Sequence, residues 1–438
     1  MRKNLIAKES PPLKGRITVP GDKSISHRAI IFAALATGET QVTKLLEGED
    51  VLRTIAAFRG MGVEIERLEA GSYRIEGVGL DGLAEPNDVL DMGNSGTAMR
   101  LLTGLLASQP FFSVLSGDES LRSRPMGRVV EPLRKMGAKI SGRDGGKLAP
   151  LVIEGQELIP IEYNSPVASA QVKTAIMLAG LNTAGETSVT EPALSRDHTE
   201  RMLQAFGAEV QRDGLKVTID GWPDLVGQKI VVPGDISSAA FPMVAALLVP
   251  GSDITIEGVG INPTRTGLLD LLLKMGGQIE QLNPREEGGE PVADLRVRHS
   301  QLQAIEVPVD VVPRAIDEFP IFFVAAALAD GQTVLRGADE LRVKESDRIS
   351  AMVDGLSRIG VVLGELPDGA MIQGIWERLA GGADVESYSD HRIAMSLSVA
   401  GLVSHNPVKV LGCDNINTSF PGYAELMQSL GADIVWGG

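Results

Sequence analysis

The chain has 438 residues, with 41 Lys plus Arg against 57 Asp plus Glu, giving a net charge of −16. At about 150 residues per domain, that length accommodates two or three domains. The acidic balance excludes nucleic acid or an acidic membrane surface as partners drawn by overall charge, because long-range repulsion opposes both. Apolar runs such as Phe322–Leu328 are too short to span a membrane. The opening Met1-Arg2-Lys3-Asn4 has a basic pair with no apolar stretch behind it, so neither a secretory signal nor a transit peptide is expected. A single cysteine, Cys413, permits no internal disulfide and no cysteine metal cluster. The five histidines (27, 198, 299, 391 and 405) have no metal spacing. A reducing cytoplasm is the expected compartment.

Along the chain one pattern recurs six times. An apolar residue and a Gly close a helix and lead into a strand, at Gly62, Gly137, Gly207, Gly276, Gly360 and Gly431. A C-cap glycine is expected there. Each copy opens on a polar, Gly- or Ser-rich stretch. These are Gly21-Asp22-Lys23-Ser24, Gly93-Asn94-Ser95-Gly96-Thr97, Ala168-Ser169-Ala170-Gln171, Gly234-Asp235-Ile236-Ser237-Ser238, Ile316-Asp317-Glu318 and Ser389-Asp390-His391-Arg392. An Ala- and Leu-rich run follows, as in Arg28–Ala36 or Ala239–Leu248, and reads as a helix buried on most faces. Next come a β-branched run such as Gly38–Thr43, an amphipathic helix ending at the marker Gly, and a closing strand. The unit predicted is roughly β-α-β-α-β, within an α/β protein. It is longer than solenoid repeats of about 20–50 residues, and six copies point to two pseudo-threefold domains. Val231-Val232-Pro233-Gly234-Asp235 echoes Val19-Pro20-Gly21-Asp22 and marks the passage between them.

A polar opening before a helix exposes unpaired N–H groups at the positive end of the dipole, where anions are attracted. Cations accompany these openings: Lys23 and Arg28; Arg100, Arg122, Arg124 and Arg128; Arg196; Lys344 and Arg348; Arg392. Any one could be a solvated surface charge. Their recurrence at successive openings instead points to clamping of carboxylate and phosphate. Among them stand two acids. Asp317 opens the fifth buried helix and reads equally as an N-cap or as a proton-transfer group. Glu345 reads as an ion-pair partner of Arg348 or as a catalytic acid. Gly77-Val78-Gly79-Leu80-Asp81-Gly82 matches a dinucleotide fingerprint by letters only, since Pro86 follows where a helix should open. Gly21-Asp22-Lys23-Ser24 lacks the Gly before Lys that a nucleotide loop requires. Adjacent Ser389, Asp390 and His391 cannot form a proton relay.

Several long motifs carry a resemblance. Gly21-Asp22-Lys23-Ser24-Ile25-Ser26-His27-Arg28, Gly93–Arg100, Arg124-Pro125-Met126, Leu341–Arg348 and Asp390-His391-Arg392 resemble the 5-enolpyruvylshikimate-3-phosphate synthase (3-phosphoshikimate 1-carboxyvinyltransferase) family along essentially the whole chain. Ser169-Ala170-Gln171-Val172-Lys173 and Thr418-Ser419-Phe420-Pro421 look like the second bacterial class, associated with tolerance to glyphosate. The resemblance implies two inside-out α/β barrel domains of three repeats each, 21–237 and 1–20 plus 238–438, with the active site in the cleft between them. It implies transfer of the enolpyruvyl group of phosphoenolpyruvate to the 5-hydroxyl of shikimate 3-phosphate through a tetrahedral ketal, with no metal or other cofactor. No nucleic-acid or membrane partner is expected, and a monomer is.

Carried over by position, Lys23, Ser24, Arg28, Ser169, Ala170, Gln171, Arg196, Asp317 and Lys344 would hold shikimate 3-phosphate. Lys23, Asn94, Gly96, Thr97, Arg124, Gln171, Glu345, Arg348 and Arg392 would hold phosphoenolpyruvate. Lys23, Asp317 and Glu345 would be catalytic, with the division of proton transfers among them open. Many relatives have Lys where Thr418 stands, and often Pro where Leu101 stands. The sister transferase acting on UDP-N-acetylglucosamine usually has a loop cysteine in its second unit, and residues 110–130 contain none. A non-catalytic anion-binding scaffold would not need Lys23, Asp317 and Glu345 beside the cations.

Overall fold

A computed structural model describes residues 3–437; Met1 and Arg2, part of the basic opening considered above, and Gly438 lie outside the described residues. The chain divides into two compact units. The first comprises Gly21–Val232 with Glu287–Glu290; the second comprises the chain up to Pro20, Pro233–Glu286, and the chain from Pro291 onward. The division falls after Val232 rather than after 237. The reason is local: Asp235 accepts a hydrogen bond from the Ser237 N–H at 2.8 Å, capping the helix Ile236–Leu248. A cap and its helix fold together, so the chain leaves the first unit before the cap.

Each unit is built around three helices that begin at the polar openings. They are Lys23–Leu35, Gly96–Ala107 and Ala170–Leu181 in the first unit. In the second they are Ile236–Leu248, Phe319–Ala327 and His391–Gly401. The second set is buried at every residue. In the first set the only residues not fully buried are Lys23, Ser24, Thr97, Ala170 and Gln171, all in the first turn. Close packing is required between these helices: a Cβ on Gly104 would lie 2.1 Å from the Ala175 carbonyl oxygen. Each unit has its own hydrophobic core.

Small mixed sheets cover the helices. In the first unit the sheet orders are Lys229–Val231, Thr37–Thr43, Ser72–Val78, Glu64–Glu69; then Leu90–Asp91, Phe112–Ser116, Leu148–Glu154, Lys139–Gly142; then Glu162–Asn164, Glu186–Thr190, Lys216–Asp220, Val210–Asp213. In each the first two strands are parallel and the rest antiparallel. In the second and third of these sheets the parallel pair is joined across a buried helix, as parallel pairing demands a crossover; in the first, Lys229–Val231 comes from the far end of the unit. The second unit repeats the order with Lys14–Thr18, Asp253–Gly260, Glu290–Arg298, Gln278–Glu287 and with Asp384–Glu386, Val408–Leu411, Asn4–Ala7, Ile434–Gly437. Its other main sheet keeps three strands, Gln332–Leu335, Gly369–Gln373 and Val362–Leu366, and an isolated parallel bridge from Glu306 to Val334 takes the fourth place.

The repeat is therefore β-α-β-α-β-β, one strand longer than the sequence pattern predicts. The six marker glycines all have left-handed φ, between +88° at Gly62 and +102° at Gly207. Each follows an amphipathic helix within two residues, as at Glu49–Gly60 and Arg348–Arg358. No helix among the described residues is long and apolar enough to cross a membrane.

Candidate active site

In the first unit the polar openings become N-caps. Asp22 accepts from the Ile25 N–H at 2.9 Å, Ser95 from Ala98 at 3.1 Å and Ser169 from Val172 at 3.4 Å. Each cap satisfies one orphan donor and leaves the remaining first-turn N–H groups at the helix end.

Arg28 is buried one turn into the first of these helices. Its Nε donates to Thr199 Oγ1 at 2.7 Å, one terminal nitrogen to Thr174 Oγ1 at 2.9 Å and the other to the Ser24 carbonyl at 3.0 Å. Burial lowers its pKa to about 10; the negative charges of Glu200 and Asp22 oppose this, and the positive charge of neighbouring Arg196 adds to it. Arg196 itself is half-buried on the loop before the helix His198–Ala205. Lys23 reaches Asp50 Oδ2 at 3.0 Å.

Thr97 and Gln171, from different helices, are joined: Gln171 Nε2 donates to Thr97 Oγ1 at 3.0 Å. Buried Arg100 fixes this pair by donating to Gln171 Oε1 at 2.7 Å and to the Pro125 carbonyl at 3.1 Å. Arg124 donates to the Asn94 carbonyl at 3.3 Å, and Asn94 Nδ2 to Asp118 Oδ2 at 2.8 Å. Gly96 sits under both guanidinium groups. A Cβ there would lie 3.0 Å from a terminal nitrogen of Arg100 and 3.0 Å from Arg124 Cζ. Arg122 turns away and donates to the Gly117 carbonyl.

The second unit gathers charge of both signs. Asp317 is not the cap of the helix Phe319–Ala327; the N-cap position is Glu318. Asp317 Oδ1 instead lies 3.3 Å from an Arg348 terminal nitrogen and 3.6 Å from Lys344 Nζ. Arg348 also contacts Glu345 Oε2 at 2.6 Å and, through Nε, Asp390 Oδ2 at 2.8 Å. Burial works against the Arg348 charge, but Asp390, Glu345 and Asp317 outweigh it and raise its pKa. Burial alone would raise the Asp390 pKa; the Arg348 charge overrides that and lowers it. Burial lowers the Lys344 pKa, and Asp317 partly offsets the change. Asp390 also caps the helix His391–Gly401, accepting from the Arg392 N–H at 2.9 Å. The Arg392 guanidinium donates to the Asp317 carbonyl at 3.0 Å.

The structure therefore groups Ser24 with Arg28, Arg28 with Arg196, Asn94, Gly96 and Arg124, and Thr97 with Gln171 in one unit. It groups Asp317, Lys344, Glu345, Arg348 and Arg392 in the other. Ala170 lies in the first turn beside the Ser169 cap. Leu101 is buried in the core, and Thr418 is spent on the Asn415 carbonyl at 2.7 Å. Cys413 is buried, with its thiol pKa raised to about 12 by that burial. Sequence reading missed Ser195 and Glu191: Ser195 Oγ donates to Glu191 Oε2 at 2.8 Å, and the Ser169 N–H donates to Glu191 Oε1 at 2.9 Å. The available signal was Lys173, a cation in the middle of a buried helix, which requires a buried counter-charge.

Residues 7–427 match the model of the EPSP synthase (3-phosphoshikimate 1-carboxyvinyltransferase) family. The chain is 72% identical to a 3-phosphoshikimate 1-carboxyvinyltransferase of Magnetococcus marinus, over 96% of this chain and 94% of that protein. It is 60% identical to one of Citrifermentans bemidjiense, over 98% and 99%. A solved EPSP synthase of Acinetobacter baumannii superposes with a TM-score of 0.91 at 51% identity, covering 100% of both chains. The enolpyruvyl transferase NikO of Streptomyces tendae, at 17% identity and a TM-score of 0.80, covers 100% of this chain and 99% of its own and shares the fold. With its α/β enolpyruvyl transferase fold of mixed sheets and near-complete coverage by these relatives, the chain belongs to the EPSP synthase family, the 3-phosphoshikimate 1-carboxyvinyltransferases.

Proposed function

We propose that the two groups of residues serve one pair of substrates, each unit being an inside-out α/β barrel with its helix openings turned to the ligands. The reaction is the family's: the carboxyvinyl group of phosphoenolpyruvate passes to the 5-hydroxyl of shikimate 3-phosphate, and phosphate leaves. Each substrate carries a carboxylate and a phosphate, so about six negative charges must be met. Arg28, Arg196, Lys23, Ser24, Ser169 and Ala170 take shikimate 3-phosphate. Gly96, Thr97, Arg124, Arg348 and Arg392 take phosphoenolpyruvate, Asn94 shapes its loop, and Gln171 lies between the ligands. Lys344 borders Asp317 on the shikimate side.

Chemically, the 5-hydroxyl oxygen bonds to C2 of phosphoenolpyruvate while its proton leaves and C3 gains one. The ketal then loses a proton from C3 and phosphate from C2. Asp317 accepts the hydroxyl proton, and Glu345 with Lys23 serves the C3 and phosphate end. The observation carrying this reading is the placement of Asp317. Its carboxylate is not consumed as a helix cap and is held beside Lys344, on the same guanidinium as Glu345. Phosphate release in the presence of both substrates tests the activity. Release that depends on both supports the reading, and none with folded protein overturns it.

A further inference from the structure

Under the loop that carries Ser195 and Arg196 lies a buried cluster of charge. Lys173, on the helix Ala170–Leu181, has its Nζ 3.0 Å from Glu191 Oε2 and 2.7 Å from Glu200 Oε1. The side chains are 1%, 3% and 6% exposed. Neither approach meets hydrogen-bonding angles, so Lys173 acts on both carboxylates by Coulomb attraction. Three charges in such a place are costly unless each is compensated. Apolar side chains of similar volume at all three positions would fill this space at less cost, so packing does not account for the cluster.

Glu191 uses both oxygens. Oε1 accepts the Ser169 N–H and Oε2 accepts Ser195 Oγ. One carboxylate thus ties the N-terminus of a helix to a separate loop, and Lys173 holds that carboxylate from below. Glu200 follows Thr199, which bonds both Arg28 and Thr174, the latter next to Lys173. The cluster is therefore linked to Ser169, Ser195 and Arg28 through single contacts.

We propose that Glu191, held by Lys173, is a positioning residue that fixes Ser169, a donor to the phosphate of shikimate 3-phosphate, against the loop that carries Ser195 and Arg196. The proposal rests on the reading of Ser169, Arg28 and Arg196 as the subsite for that substrate. Charge on Glu191 matters because both contacts are donated to it; a neutral amide can accept one of them and must turn a donor toward the other.

The test is steady-state kinetics with each substrate varied in turn, alongside thermal melting. Glu191→Gln should raise KM for shikimate 3-phosphate at least about tenfold, with KM for phosphoenolpyruvate and kcat each within about twofold. Should Glu191→Gln fail to fold, Glu191→Asp keeps the charge, withdraws the carboxylate by one methylene and gives the same readout. A merely structural role would lower the melting temperature and leave the ratio of the two KM values unchanged, which would overturn the proposal. Ser169→Ala, run in parallel, separates the two levels. A raised KM for shikimate 3-phosphate in Ser169→Ala with none in the Glu191 variant defeats the positioning role alone. No change in Ser169→Ala defeats the subsite reading and the proposal with it.

Discussion

Two buried arginines, one in each unit, have opposite surroundings. Arg28 donates to two threonine hydroxyls and a carbonyl, and burial brings its pKa down to about 10. Arg348 touches three carboxylates, and its pKa is raised in spite of burial. A buried cation bonded to neutral acceptors gains most when an anion arrives, because the ligand supplies the compensation that the protein withholds. A cation bonded to carboxylates is already compensated, and its use is to hold those acids in place. On the proposed assignment, the first unit takes up anions and the second keeps acids next to the reacting atoms.

The sharpest way to break this contrast is at the acids. Asp317→Asn should lower kcat by about 10²-fold or more with little change in melting temperature, since Glu318 rather than Asp317 occupies the cap position. Wild-type turnover in that variant would remove Asp317 from proton transfer. Next in size is Arg28→Lys, which keeps the charge and loses the fork. KM for shikimate 3-phosphate should rise at least about tenfold, because a single ammonium cannot serve two hydroxyls and a phosphate together. An unchanged KM would mean that the anion-taking role lies elsewhere.

Gly96→Ala places a methyl against Arg100 and Arg124, both of which must give by a few tenths of an ångström. The inhibition constant for glyphosate, the longer occupant expected for the phosphoenolpyruvate site, should rise at least about tenfold, or ~1.4 kcal/mol. The KM for phosphoenolpyruvate should rise by a smaller factor. Equal shifts would show that Gly96 does not discriminate between the two ligands.

The smallest effect concerns His27, buried between Lys23 and Arg28 with Nδ1 2.8 Å from Thr54 Oγ1. Burial first, then the charges of Lys23 and Arg28, lower its pKa from 6.5 to about 3. The folded pKa lies below the unfolded one, so the unfolded chain binds the extra proton on acidification. The contribution is present above about pH 6.5 and is lost as the pH falls toward 3. Between about pH 6.5 and pH 5.5 it should cost about 1 kcal/mol. Denaturant melts of the wild type and of His27→Gln should converge as the pH is lowered over that range. Parallel curves would place the titration elsewhere.

The repeat was legible because glycine is the residue that takes left-handed φ without strain, so six helix ends left six letters in the chain. The openings were legible because caps draw on few residue types; Asp22, Ser95, Ser169, Asp235 and Asp390 all accept first-turn N–H groups. The extra strand was not. Glu64–Glu69 and Ser72–Val78 form a hairpin whose first strand is largely exposed and charged, so its apolar alternation is weak. Glu191 was hidden for a different reason: it stands in a loop, where no periodicity marks burial, and its partners lie 18 or more residues away or across a turn. The role of Asp317 was undecidable in sequence, since both a cap and a catalytic acid belong at a helix start.

One strand bears on how the protein is made. Asn4–Ala7 lies between Val408–Leu411 and Ile434–Gly437, so this strand pairs with residues some four hundred positions later. The first unit, apart from the tip Glu287–Glu290, is contained in Gly21–Val232 and can assemble while the ribosome is still working. The second cannot finish until the last strand has emerged, and its opening strand must wait unpaired through nearly the whole of synthesis. High sequence separation slows such a closure. In the nascent chain, the unit that holds Asp317 and Glu345 is therefore the late one, and Asn4–Ala7 is an edge open to mispairing until it is sealed.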